Sequence, residues 1–128
     1  MSSPVVLDAS ALLALLNSEQ GSQAVAASLP GAVVSAVNIS EVVAKLTDAG
    51  MPEKPVRLAL TGLGLEIYPF DEESAYAAGL LRKETKKAGL SLADRACLAL
   101  AQQLSIDVLT TDRGWKTLKL GVRIQVIR

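Results

Sequence analysis

Val5-Val6-Leu7-Asp8-Ala9-Ser10-Ala11-Leu12-Leu13-Ala14-Leu15-Leu16 decides the fold. Its opening run is apolar, β-branched and short, which suits a buried strand. From Ser10 onward the leucine and alanine content is that of a helix. Asp8 stands at the handover between the two. A strand that is apolar at consecutive positions is buried on both faces, as in a parallel sheet. In such a sheet the strand-to-helix handovers share one edge, where ligands bind.

Working outward, the alternation repeats. Residues 22–29 read as a short helix and Ala32-Val33-Val34-Ser35 as a buried strand closed near Asn38. Residues 39–49 place Ile39, Val42, Val43 and Leu46 on one helical face, with Gly50 as the stop and Pro52 beyond it. Residues 52–60 continue as helix. Leu65-Glu66-Ile67-Tyr68 alternates with period two and suits an edge strand. Asp71 caps a predicted helix reaching about residue 87, with Ala75, Ala78 and Leu81 or Leu80 facing inward and Arg82, Lys83, Lys86 and Lys87 in its last turn. Residues 91–104 form an apolar helix, 107–110 a fourth strand, 112–118 a short helix and 122–127 a fifth strand. Strands alternating with helices predict a parallel sheet with right-handed crossovers.

Composition narrows the partners. The 128 residues suit one domain over 1–128. Half of them are hydrophobic while only 3% are aromatic, so the core is aliphatic. That surplus exceeds what so small an interior hides, which predicts cover by a second copy or a partner chain. Thirteen basic and thirteen acidic residues cancel, so any nucleic-acid contact must be local. The single Cys97, amid Ala96, Leu98 and Ala99, reads as a buried hydrophobe in a reducing cytoplasm. The apolar runs are interrupted well short of a membrane span, and no export leader is expected.

Four acids stand where a strand meets a helix or just inside a helix start: Asp8, Glu41, Asp94 and Asp112. Each has a structural explanation. Asp94 follows Ser91 by three positions and Glu41 follows Asn38 likewise, the spacing of a capping box. Glu41 also has Lys45 one turn on, and Asp8 and Asp112 suit helix N-termini. Against this stands Asp8, which follows a central strand in a chain with no Lys or Arg before Lys45. A buried carboxylate costs several kcal/mol unless it is paired or binds a metal. Mg²⁺ or Mn²⁺, hard cations with oxygen preference, would neutralise the cluster, and metal-activated water is the chemistry such sites support. With no histidine in the chain, histidine acid-base hydrolysis is closed.

These residues carry a resemblance. Val5-Val6-Leu7-Asp8-Ala9-Ser10, Ser40-Glu41-Val42, Leu90-Ser91-Leu92-Ala93-Asp94-Arg95-Ala96 and Leu109-Thr110-Thr111-Asp112-Arg113-Gly114-Trp115 together resemble a PIN-domain ribonuclease of the VapC toxin type. The resemblance spans almost the whole chain. It implies a PIN-like three-layer α/β/α fold around a central five-stranded parallel sheet, with Asp8, Glu41, Asp94 and Asp112 as the acidic metal site. Ser10 and Thr110 become supporting hydroxyls. It further implies an endoribonuclease using Mg²⁺ or Mn²⁺, a cognate antitoxin across the active-site groove, and a homodimer made through apolar helices. Arg95 stands where the family often has a small residue.

Arg113 and Lys116 beside Asp112, and Arg95 beside Asp94, are placed to meet RNA phosphates, although an ordinary solvated basic surface reads the same way. The denser run from Arg82 to Lys87 also has the plainer account of a helix C-terminus. Trp115 reads as core or rim packing before base stacking. Two other classes compete. A receiver-type signalling domain also holds Mg²⁺ at strand ends, but it needs paired acids after its first strand and a lysine after its last, and neither is present. A catalytically silent PIN-like binding module remains as the alternative.

Overall fold

The computed structural model describes residues 4–128. The elements run β1 (Val5–Leu7), α1 (Ala9–Leu16), α2 (Ser22–Ser28), β2 (Ala32–Ser35), α3 (Ala36–Asp48), α4 (Glu53–Thr61) and β3 (Glu66–Tyr68). They continue with α5 (Glu72–Leu80), α6 (Arg82–Thr85), α7 (Leu92–Leu104), β4 (Asp107–Thr110), a 3₁₀-helix (Arg113–Thr117) and β5 (Ile124–Val126). The five strands pair in parallel in the order β3-β2-β1-β4-β5. β1 is central, as its unbroken apolar run requires. The chain winds from β1 outward to β3, then returns to β4 on the other side, so the order reverses between β1 and β4. Crevices form at such reversals, outside the carboxyl ends of the strands.

Strand alternation divides the core into two layers, giving the expected α/β/α arrangement. Val5, Leu7, Val34 and Leu109 pack with Leu12, Val25, Val42, Leu46 and Leu60 under α1 to α4. Val6, Val33 and Val108 point the other way and pack with Ala78, Leu81, Leu98, Leu100 and Trp115 under α5 and α7. The register of β1 on β4, Val6 opposite Val108 and Leu7 opposite Leu109, keeps the two sets apart. Trp115 is 1% exposed, so it is a core residue and unavailable for stacking on a base. Gly21 adopts φ +97, and a Cβ there would stand 2.9 Å from the Ile127 carbonyl oxygen. Only glycine lets the start of α2 approach the C-terminal segment so closely.

Three local expectations change. The helix expected to run from Asp71 to about residue 87 breaks at Leu81, whose ψ of −13 flattens the turn between α5 and α6. The break turns Leu81 and Thr85 into the core, with the Thr85 hydroxyl donating to the Leu81 carbonyl at 2.8 Å. Ala78 and Leu81 face inward, while Ala75 and Leu80 face solvent. Gly79, a poor helix former at the end of α5, lowers the cost of the interruption. The third helix begins at Ala36, because Ser35 rather than Asn38 is its cap, accepting from the Val37 amide at 3.2 Å. The segment expected as a short helix over 112–118 is a 3₁₀ turn capped by Asp112. β3 lies at the sheet edge, as its alternation predicts.

The layering predicts unequal costs for two leucines. Leu98 is fully buried beneath β1 and β4, so Leu98→Ala should lower the unfolding free energy by about 2–5 kcal/mol. Leu80 is 76% exposed, and Leu80→Ala should change it by less than about 0.5 kcal/mol. Urea unfolding midpoints at unchanged slope measure both.

Candidate active site: an acidic cleft at the sheet edge

Asp8 leaves the end of β1 and caps α1. One carboxylate oxygen, Oδ1, accepts from the Ala11 amide at 2.8 Å and the Ser10 hydroxyl at 2.7 Å. The other, Oδ2, accepts from the Thr110 hydroxyl at 2.5 Å, which joins the ends of adjacent strands β1 and β4. The Thr110 oxygen in turn accepts from the Asp112 amide at 3.0 Å, and the Ser10 oxygen from the Thr111 amide at 2.9 Å. Ser10 and Thr110 thereby fix both the carboxylate and the loop that carries Asp112. Asp8 is only 4% exposed. Burial pushes its carboxyl up from an ordinary 3.8 to about 6, the charge of Asp94 adds to the rise, and the Thr110, Ser10 and Ala11 hydrogen bonds oppose it.

The other three acids arrive from separate elements. Glu41 lies on the second turn of α3 and is half-buried. Burial raises its carboxyl, the Asp94 charge raises it further, and the Lys45 charge and the Asn38 amide pull it back. Asp94 opens α7 in a capping box: its Oδ2 accepts from the Ser91 amide at 3.0 Å and its amide donates to the Ser91 hydroxyl oxygen at 3.1 Å. Asp112 caps the 3₁₀ turn, its Oδ1 accepting from the Gly114 amide at 2.9 Å. Asp8, Glu41, Asp94 and Asp112 line one cleft of about 260 Å³ with Ala9, Ser10, Leu13 and Lys45. Capping and convergence therefore coexist in Asp8, Asp94 and Asp112, since a cap engages one face of a carboxylate and leaves lone pairs free.

Glu41 is the exception among the capping explanations. Ser35 caps its helix, and Asn38 lies inside the helix with its amide turned to α7, so no capping box forms there. Nor does Lys45 reach it as an ion pair among the described residues. Arg95 also departs from expectation. Its Nη1 donates to the Ala78 carbonyl at 2.9 Å, so the guanidinium seals the seam between α5 and α7 instead of facing the acids. Arg113 donates through Nε to the Arg128 carbonyl at 3.1 Å at the surface, and Lys116 is exposed. Cys97, one turn below Asp94, is fully buried, and burial with the Asp8, Asp94 and Glu41 charges holds its thiol well above the usual range. It is inert.

Sequence reading missed two residues here. Lys45, taken for a solvated partner of Glu41, lines the acidic cleft and a neighbouring one that Glu19 and Arg128 also line. Asn38 is a buried strut. Its signal was present in the spacing of Asn38, Val42 and Leu46, which puts a polar side chain in the buried stripe of α3.

Among the described residues, no three metal-ligating side chains stand close enough to enclose an ion. The cleft is therefore no closed protein cage. Mg²⁺ rarely uses one, since it keeps several waters and takes one or two carboxylates directly. An all-oxygen donor set, with acids that raise one another's proton affinity, fits an aquated hard cation and offers nothing to a soft metal.

A family model for the PIN domain matches residues 5–119, and the chain belongs to that family. Solved structures share the fold. The chain is 22% identical to a chain of a toxin-antitoxin complex from Klebsiella pneumoniae, over 97% of this chain and 98% of that one, at a TM-score of 0.78. It is 18% identical to a chain of DNA-bound VapBC from Salmonella typhimurium, over 98% of each, at 0.73. It is 25% identical to a chain of FitAcB from Neisseria gonorrhoeae, over 94% of this chain and 95% of that one, at 0.66. Comparison with curated proteins gives no match.

The raised Asp8 carboxyl fixes the sign of a pH effect. The folded chain binds this proton more tightly than the unfolded one, so Asp8 costs stability increasingly as pH rises from 3.8 through about 6 and fully above that. In chelator, Asp8→Asn should therefore melt higher than the parent at about pH 8, by up to ~3 kcal/mol less the weakened hydrogen bonds, and the gain should vanish by about pH 4. Thermal melts across that range read it.

Proposed function

We propose that this protein is a metal-dependent endoribonuclease of the VapC toxin type, the toxin of a toxin-antitoxin pair acting in the cytoplasm. The observation that carries the reading is the convergence of Asp8, Glu41, Asp94 and Asp112, drawn from four separate segments, on one cleft at the sheet's reversal point. Membership of the PIN family, whose toxins are generally nucleases, supports it.

Asp8, with Asp94 and Asp112, would hold Mg²⁺ or Mn²⁺, and Glu41 stands beside them. When bound, the cation supplies activated water and neutralises charge on the phosphate. The protein's own part is preorganisation. Thr110 and Ser10 lock the Asp8 carboxylate in one rotamer, so no reordering is needed when substrate arrives. Glu41, whose carboxyl is raised by burial and by the Asp94 charge, lines the same cleft and would orient the attacking water. Lys116 and Arg113 follow Asp112 on the surface and meet the backbone of a single strand by charge. Arg95, engaged with Ala78, has no part in this.

The partner assignment has its own support. With the antitoxin expected across the acidic cleft, an apolar groove of about 690 Å³ on another face of α3, lined by Ile39, Val43, Met51, Val56, Leu60 and Ile67, offers it further apolar surface. The exposed Tyr76 and Leu80 on α5 supply apolar surface for a homodimer. Among the described residues, no helix is long and apolar enough to cross a membrane.

Purified protein free of its partner should cut single-stranded RNA in Mg²⁺ or Mn²⁺ and stop in EDTA. Asp8→Asn and Asp94→Asn should each slow cleavage at least about 100-fold, equivalent to about 3 kcal/mol of lost transition-state stabilisation. Cleavage that survives chelation, or that persists in both variants, overturns the assignment. Lys116→Ala should weaken RNA binding and lower the slope of log affinity against log salt by about one, as read by fluorescence anisotropy.

A further inference from the structure

Asn38 occupies the apolar stripe of α3 and is 1% exposed. Its Nδ2 donates to the Ala93 carbonyl at 3.1 Å, across 55 positions of sequence. Ala93 immediately precedes Asp94, and Glu41 lies three positions beyond Asn38 on the same helix. The bond therefore ties together the two elements that carry Glu41 and Asp94. Its partner fixes the amide's orientation, because a turned amide would set oxygen against the Ala93 carbonyl oxygen.

The cost of this residue is visible. Among the described residues, its Oδ1 is buried without a hydrogen-bond partner. An unsatisfied buried acceptor is destabilising, and a leucine, branched in the same way but apolar, would carry none. Packing alone does not account for asparagine here. Electrostatics does: Glu41 and Asp94 line the same cleft, so two like charges face each other where α3 and α7 meet it. A hydrogen bond between the helices, one residue from one acid and three from the other, resists their separation.

We propose that Asn38 is a positioning residue for the acidic cleft: its bond to Ala93 sets the spacing of Glu41 and Asp94 and thereby the affinity of the cleft for a divalent cation. The inference rests on reading the cleft as a metal-binding nuclease site. It gives the α3–α7 contact a task beyond packing, since the two helices carry like charges that line one cleft.

Binding of Mn²⁺ to the purified protein, followed by the electron paramagnetic resonance signal of the free ion, tests this without any substrate. Asn38→Leu should weaken Mn²⁺ binding about 10-fold, the lower end of what is lost when a residue orienting a ligand is removed. In a Glu41→Gln background the same substitution should have a much smaller effect, because only one charge is left to hold in place. Binding by Asn38→Leu within about twofold of the parent, or an equal loss with and without the Glu41 charge, overturns the proposal, the second outcome marking a packing defect. If Asn38→Leu does not fold, Asn38→Ala enters the same cycle. A parent protein that neither binds Mn²⁺ nor cuts RNA sinks the nuclease reading and this inference together. A parent that does both while Asn38→Leu matches it sinks the inference alone.

Discussion

The hydrogen bond from Thr110 to Asp8 is the joint on which the site depends. Asp8 is a carboxylate at the end of the central strand, almost wholly buried at the floor of the cleft, with no lysine or arginine paired to it among the described residues. What holds it is a set of donors on both its oxygens, from Ser10, Ala11 and Thr110. Thr110 ends β4, the neighbour of β1, and parallel pairing puts both strand ends at one edge. The same threonine passes the constraint on to the Asp112 backbone. Remove that linkage and the loop after β4 loses its anchor on the loop after β1.

Two of the remaining acids are placed by helix or turn starts, and Glu41 by the second turn of α3. Asp94 and Asp112 are fixed by amides they cap, so the local preference that begins a helix also aims a carboxylate at the cleft. The structural and functional readings of these residues are therefore one arrangement seen twice. Anions also gain from the positive end of a helix, which offsets part of their mutual repulsion.

Much of this was legible in the residues. The apolar run before Asp8 announced a central parallel strand, and the alternating run at Leu65 to Tyr68 an edge strand, because burial on two faces or one leaves a direct mark on the pattern. Less legible was whatever depended on neighbours distant in sequence. The break at Leu81 arises because Leu81 and Thr85 turn toward the layer under α7, which no local propensity records. Asn38 looked like a cap because its spacing to Glu41 matched one, while Ser35 stood three positions earlier and took that role. Arg95 was read from its neighbour Asp94, yet its side chain turns to a carbonyl 17 positions away. Adjacency in sequence says little about direction on a helix, where successive side chains diverge by roughly 100°.

The capping bonds have one more consequence. The amides of Ala11, Ser91 and Gly114 each touch a carboxylate of the cleft, yet all three belong to the backbone of ordinary helix or turn starts. Any change of charge among those carboxylates alters the polarisation of the attached N–H groups. Three backbone protons, widely separated along the chain, are thus built-in resonance probes of the cleft, able to register protonation or ion loading atom by atom with no label introduced.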